Sequence, residues 1–278
     1  MHSTHAIGVV YNMAMYVLAL FIGAAGGILS GLLGIGGGIV LFPALLYLPP
    51  LLGLEALDVR DVTGLTMVQG FFASLTAWLF YRSRGLVLRP MVIWLGIPLS
   101  LASLVGAVYS RQVDRYVLLI VFGLLALTAA IMMLRSYGGP KDETAEDRPP
   151  RINRALAMVL GAFLGFFLGM VGQGGAFIII PMMLYVFLVS FRSAAGSMLA
   201  ISLMATTAGF LGKAQAGMVP LDLSAFLLAG AIPMAWIGGM LSSRFSTMVL
   251  KRILAVIILL SVLKVGTDIY AIFHLMTQ

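Results

Sequence analysis

Ten apolar runs divide this chain, at about 15–33, 38–54, 62–81, 88–109 and 116–134, then 155–171, 176–191, 194–212, 221–241 and 248–265. Several go about 20 residues with almost no charge, the length that crosses a hydrocarbon core of roughly 30 Å as a helix. With 61% hydrophobic and 10% charged residues and a mean hydropathy of +1.08, water is not the main solvent of this surface. The expected fold class is an all-α polytopic membrane protein. There are no cysteines, which excludes disulfides, thiolate metal sites and cysteine nucleophiles. The net charge of +7 reads as cytoplasmic loops rather than nucleic-acid binding. Residues 1–14 carry no Lys or Arg and no small-residue cleavage site, so the first span is expected to be retained.

The runs fall into two sets of five. Between them lies a solvated stretch holding Gly138-Gly139-Pro140, a mixed-charge run from Lys141 to Arg148, and Pro149-Pro150. Three units follow: an N-terminal membrane repeat, 1–135; a cytoplasmic linker, 136–151; and a C-terminal membrane repeat, 152–278. Shifting the sequence by 138 positions superposes Gly31-Leu-Leu-Gly-Ile-Gly-Gly-Gly38 on Gly169-Met-Val-Gly-Gln-Gly-Gly-Ala176. Ala19, Gly23, Ala24, Gly27, Pro43, Leu46 and Tyr47 then meet Ala157, Gly161, Ala162, Gly165, Pro181, Leu184 and Tyr185. After a small change of register Arg60, Gly64 and Gly85 meet Arg192, Gly196 and Gly217, and Ile97-Pro98 meets Ile232-Pro233.

An odd number of crossings per half inverts the second half. With ten crossings and the N-terminus outside, the cytoplasmic side receives 12 of the 17 Lys and Arg residues and the outside 5. If the glycine-rich segments are re-entrant instead, the division is 10 to 7. Charge therefore favours two inverted five-segment repeats.

Gly34, Gly36, Gly37 and Gly38 precede a run that holds Pro43 and ends in Pro49-Pro50. Glycine costs about 1 kcal/mol and proline about 3 in a helix interior, so the chain should unwind near 35–38 and restart as a short helix. The same holds at Gly172, Gln173, Gly174 and Gly175, with Pro181 following. Unwound backbone in a membrane needs protein cover or a water-filled cavity. A restarted helix presents free N–H groups and a positive dipole end, which attract anions. Two such ends brought to one midplane site would form an anion site. The outer glycines, Gly23, Gly27, Gly161 and Gly165, spaced four apart, read as close helix packing. Bulk at Gly36 or Gly174 should accordingly harm transport more than bulk at Gly23 or Gly161.

The run from Gly31 to Pro43 and its echo from Gly169 to Pro181 resemble the TauE/SafE sulfite exporter family, over essentially the whole chain. The resemblance implies a bacterial plasma-membrane, multi-pass permease that moves sulfite, sulfonates, thiosulfate or other small organic anions, often outward. The second copy departs from the glycine pattern, with Gln173 opposite Ile35 and Ala176 opposite Gly38. An amide at Gln173 can donate to an oxyanion or bond to a neighbouring helix.

The third segment of each half offers a polar face: Thr66, Gln69 and Thr76 in one, Ser193, Ser197 and Thr207 in the other. These line a path or bond back to the helix; Gln69 is the foremost candidate. Arg60 and Arg192 match in position and read as mouths that gather anions or as interfacial anchors, with Pro43 and Pro181 as gating elements. Lys213, beside Gly212, is expected to reach the interface. His2, His5 and His274 lack clustered Asp, Glu or Cys, so no metal site is expected. No cofactor, catalytic constellation or nucleic-acid partner is expected. The partners are a small anion and the bilayer, and a homo-oligomer stays open.

No Asp or Glu sits near a predicted midplane, so proton coupling is not indicated. The expected function is secondary transport, outward, of a small sulfur-containing anion held at paired breaks. The alternatives are an anion channel and a permease for a small carboxylate such as lactate; an embedded enzyme would need clustered intramembrane His, Asp or Glu.

Overall fold

The computed structural model describes residues 12–35, 38–82, 85–135, 152–172 and 175–276, and every regular element among them is helical. The first half holds α1 (Met13–Leu33), α2 (Gly38–Leu51), α3 (Val59–Arg82), α4 (Arg89–Gln112) and α5 (Arg115–Arg135). The second holds α6 (Arg154–Val171), α7 (Ala176–Tyr185), α8 (Phe191–Gln215), α9 (Leu221–Ser242) and α10 (Thr247–Met276). Each expected apolar run is a helix. Seven of the described helices are long and apolar enough to cross a membrane, which makes this a multi-pass membrane protein. α2 and α7 are not among the seven: with 14 and 10 residues, they reach only about 21 and 15 Å at 1.5 Å per residue. With α10, 30 residues long, standing beside the seven, α2 and α7 are the two segments too short to cross a hydrocarbon core of roughly 30 Å unaided.

The breaks fall where the glycines dictate. Gly34 ends α1 with φ 71° and Gly172 ends α6 with φ 78°, left-handed conformations that only glycine adopts freely. The Gly34 N–H donates to Ser30 O at 2.9 Å, meeting one of the orphan carbonyls at the helix end. The chain restarts as helix at Gly38 and Ala176, and both short helices carry an internal proline, Pro43 and Pro181. Pro43 is half-buried and Pro181 buried. The linker 136–151 lies outside the described residues, as do Gly36, Gly37, Gln173 and Gly174.

Glycine-to-carbonyl contact sets the packing. A Cβ on Gly23, Gly27 or Gly31 of α1 would collide with the carbonyl oxygens of Leu227, Ala231 and Ala235 on α9. One on Gly161, Gly165 or Gly169 of α6 would collide with those of Leu95, Leu99 and Ser103 on α4. The outer glycines thus act in close packing, as small residues do between membrane helices. These contacts also fix a register: the α1 and α6 glycines differ by 138 positions, and their partners on α4 and α9 by 132. Gly106 and Gly238, again 132 apart, meet Phe166 O and Ile28 O, which are 138 apart. The sequence match of Ile97-Pro98 to Ile232-Pro233, an offset of 135, is therefore out of register with the packing. Backbone approach admits one register, whereas a proline perturbs only its own turn; in α4 a π turn, Val92–Gly96, directly precedes Pro98.

α3 and α8 occupy the centre. They are the most buried of the seven spans, and Ser74 Oγ donates to Ser202 Oγ between them at 3.0 Å. Near the C-terminal end of α3, the Tyr81 hydroxyl donates to Gly31 O at 3.3 Å, close to the end of α1. Near the N-terminal end of α3, the Thr66 hydroxyl donates to Gly172 O at 2.6 Å, just past the end of α6. The ends of α1 and α6 thus lie at opposite ends of α3. Phe21, Leu101, Val159 and Phe163 are exposed, as lipid-facing side chains are.

Candidate substrate site

Gly34 and Gly172 each meet the central helix of the other half. A Cβ on Gly34 would come 2.8 Å from Ala195 Cβ on α8, and one on Gly172 would collide with Thr63 O on α3. Thr63 and Ala195 are 132 apart, so the two contacts correspond. The described edges of the breaks do not face each other across one site; each abuts a different end of the α3/α8 pair. The cause is that α1 and α6 are full-length helices, 21 and 18 residues, that unwind only at their far ends. Gly36, Gly37, Gln173 and Gly174, the residues expected to meet at the midplane, lie outside the described residues.

The polar candidates separate into those already bonded and one that is not. Thr66 is buried against Gly172 O, as above, and Ser197 Oγ accepts the Leu88 N–H at 2.8 Å, tying α8 to the start of α4. The Thr76 and Thr207 hydroxyls donate back to Phe72 O and Leu203 O four residues earlier, which is the packing role weighed for them. Gln69 is different. It is fully buried, and neither its Nε2 nor its Oε1 has a hydrogen-bond partner.

At the N-terminal end of α3 the structure assembles a cationic cluster. Lys213 does not reach the interface. It is 0% exposed, and its Nζ donates to Ser110 Oγ at 2.6 Å, Thr63 Oγ1 at 2.8 Å and Met170 O at 3.0 Å. All three acceptors are neutral, and among the described residues no carboxylate pairs with this ammonium. Arg60 stands one turn before Thr63, exposed, with its guanidinium donating to Val113 O at 3.3 Å. At the offset of 132, Lys213 corresponds to Tyr81, Ser110 to Ser242 and Arg60 to Arg192. Tyr81, Ser242 and the exposed Arg192 line a small cavity of about 30 Å³ with Phe191 and Ala195. That is room for about one water. Sequence reasoning placed Arg60 and Arg192 at such ends but put Lys213 at the interface, because its burial comes from α3, α4 and α6 and leaves no local signal.

A chain with seven helices of membrane-crossing length and apolarity among its described residues, whose first glycine break is repeated 138 residues later, matches, over residues 19–265, the family model described as sulfite exporter TauE/SafE. The chain belongs to this family. Among its relatives, "Probable membrane transporter protein YjnA" of Bacillus subtilis is 26% identical over 263 residues, covering 91% of this chain and 99% of that protein. A "Probable membrane transporter protein" of Xylella fastidiosa is 28% identical over 258 residues, covering 89% and 94%. YunE of Bacillus subtilis, of the same description, is 22% identical over 273 residues, covering 91% and 97%. No solved structure matches. This TauE/SafE chain is a membrane transporter by family, and the relatives align along nearly their full lengths.

Proposed function

We propose that this protein is a secondary transporter that exports a small sulfur oxyanion, sulfite or an organosulfonate, by alternating movement of two inverted five-segment halves. Lys213 carries the reading. A buried ammonium held only by neutral oxygens leaves several kcal/mol of desolvation uncompensated, and an anion entering the protein offsets it. Arg60 adds positive charge at the same end of α3 and Arg192 at the other, so both approaches attract anions. Asp61 and Asp222 stand in the first turns of α3 and α9, away from the middle of the spans, which fits a substrate that is itself the negative charge. The inversion is supported by the ends of α1 and α6 lying at opposite ends of α3.

Moving one negative charge out of an inside-negative cell releases about 2.3 kcal/mol per 100 mV, so export needs no coupling ion. The test is flux in proteoliposomes against sulfite, sulfate, thiosulfate, sulfoacetate, taurine and lactate. Uptake of a sulfur anion that accelerates under an interior-positive potential is expected. Movement of lactate alone would refute the sulfur assignment, potential-independent uptake would refute electrogenic export, and single-channel currents would make the protein a channel.

A further inference from the structure

The two breaks share a plan but differ in what surrounds them. Four residues before Gly34 stands Ser30, and the corresponding residue before Gly172 is Leu168. In the second half the Leu168 side chain covers the start of α7: a Cβ on its N-cap, Gly175, would collide with Leu168 Cδ1. Gln69, midway along α3, corresponds at the offset of 132 to Ile201 on α8. Ser30, Gln69 and Ile201 are all 0% exposed and Leu168 is 1%. The same corner is thus sealed with hydrocarbon in the second half and lined by a hydroxyl and a primary amide in the first.

Neither of those polar side chains is satisfied. Ser30 Oγ, Gln69 Nε2 and Gln69 Oε1 are buried without a hydrogen-bond partner. An unmet buried polar group is a destabilising feature that proteins rarely keep without a use. The two side chains belong to helices that pack on each other, α1 and α3. A Cβ on Gly26, one turn before Ser30 on α1, would lie 3.3 Å from Gln69 Nε2 and 2.7 Å from Leu41 Cδ1. Leu41 belongs to the first turn of α2, whose N–H groups lack intrahelical acceptors and carry the positive end of the helix dipole.

We infer that the transporter binds its anion in the N-terminal half alone, with Ser30 Oγ–H and Gln69 Nε2–H donating to one small oxyanion beside the first turn of α2. The second break is the structural counterpart, closed by Leu168 and Ile201, with Lys213 and Thr66 bonded to the carbonyls of Met170 and Gly172. Gln69 Oε1 gives the site one acceptor, which suits an anion carrying its own O–H or N–H. The inference rests on the anion-transport reading above.

The test transplants the second half's residues into the first. Wild type, Ser30→Leu, Gln69→Ile and Gln69→Glu are reconstituted and assayed for sulfite and thiosulfate flux, with thermal unfolding in detergent measured in parallel. Ser30→Leu and Gln69→Ile are expected to raise KM at least tenfold or abolish flux without lowering the melting temperature, since each removes an unmet polar group. Gln69→Glu, nearly isosteric, is expected to abolish flux by repelling the anion. Leu168→Ser is expected to leave KM within twofold. If Ser30→Leu unfolds, Ser30→Ala replaces it and a KM change below twofold counts against the site. Normal KM in Gln69→Ile and Gln69→Glu overturns the inference while wild-type flux preserves the anion reading; absence of anion flux in wild type overturns both.

Discussion

Replacing Lys213 with methionine separates a charge that serves the substrate from one that only ties helices together. The structural consequences are small in sum. Thr63 and Ser110 keep other partners, since their hydroxyls donate to Arg60 O at 2.7 Å and Ala107 O at 2.6 Å. Met170 O loses its Lys213 donor, a cost of about 1–3 kcal/mol. Against that, a desolvated ammonium is removed, a gain of comparable or greater size, so the melting temperature should stay or rise. The consequence for an anion is larger. Thr63, which accepts from Lys213, lies six residues before Gln69 on α3, about 9 Å along the axis. A unit charge at about 9 Å in a medium of effective dielectric about 20 contributes about 2 kcal/mol, close to 20-fold in affinity. The assay is the concentration dependence of sulfite or thiosulfate flux, with unfolding measured beside it. KM should rise about 20-fold in Lys213→Met and recover largely in Lys213→Arg. An unchanged KM with a lowered melting temperature would refute the electrostatic role and leave Lys213 as a structural tie.

Two further outcomes follow from the backbone. Gly172→Ala combines a left-handed φ of 78° with a Cβ driven into Thr63 O, whereas Gly217→Ala has φ 68° and open space. Gly172→Ala should lower the unfolding temperature strongly and Gly217→Ala by only about 1 kcal/mol equivalent, and equal effects would contradict the close approach. A double-mutant cycle on Ser74→Ala and Ser202→Ala should give a coupling of about 0.6 kcal/mol in unfolding, as interhelical bonds in membranes do; zero coupling would remove that bond from the α3/α8 contact. Alanine at Gly23 or Gly161 is a poor functional control for the breaks, because both positions meet a carbonyl on another helix and loss of flux there would reflect misfolding.

Helix positions were legible because lipid demands long apolar runs and glycine–proline clusters interrupt them, so nearly every boundary fell within a few residues of the sequence reading. The α9 ends of the α1 contacts were not, since a glycine records that something comes close without recording what. Thr66, Ser197, Thr76 and Thr207 looked alike as polar residues on inner faces; only their partners separated the bonded hydroxyls from the unmet amide of Gln69. Ser30 carried no signal of its own among the small residues of α1, and became visible only when Leu168 stood at its counterpart.

The sequence by itself determined a duplicated, multi-pass helical transporter of the TauE/SafE family with a break at the same place in each half, because hydrophobic length and glycine are local properties of the chain. Tertiary structure decided that the described edges of the breaks lie at opposite ends of α3, that Lys213 is buried and that Gln69 and Ser30 are left unsatisfied. Those facts depend on which helix ends meet, and a residue's burial and hydrogen bonds are set by neighbours more than a hundred positions away.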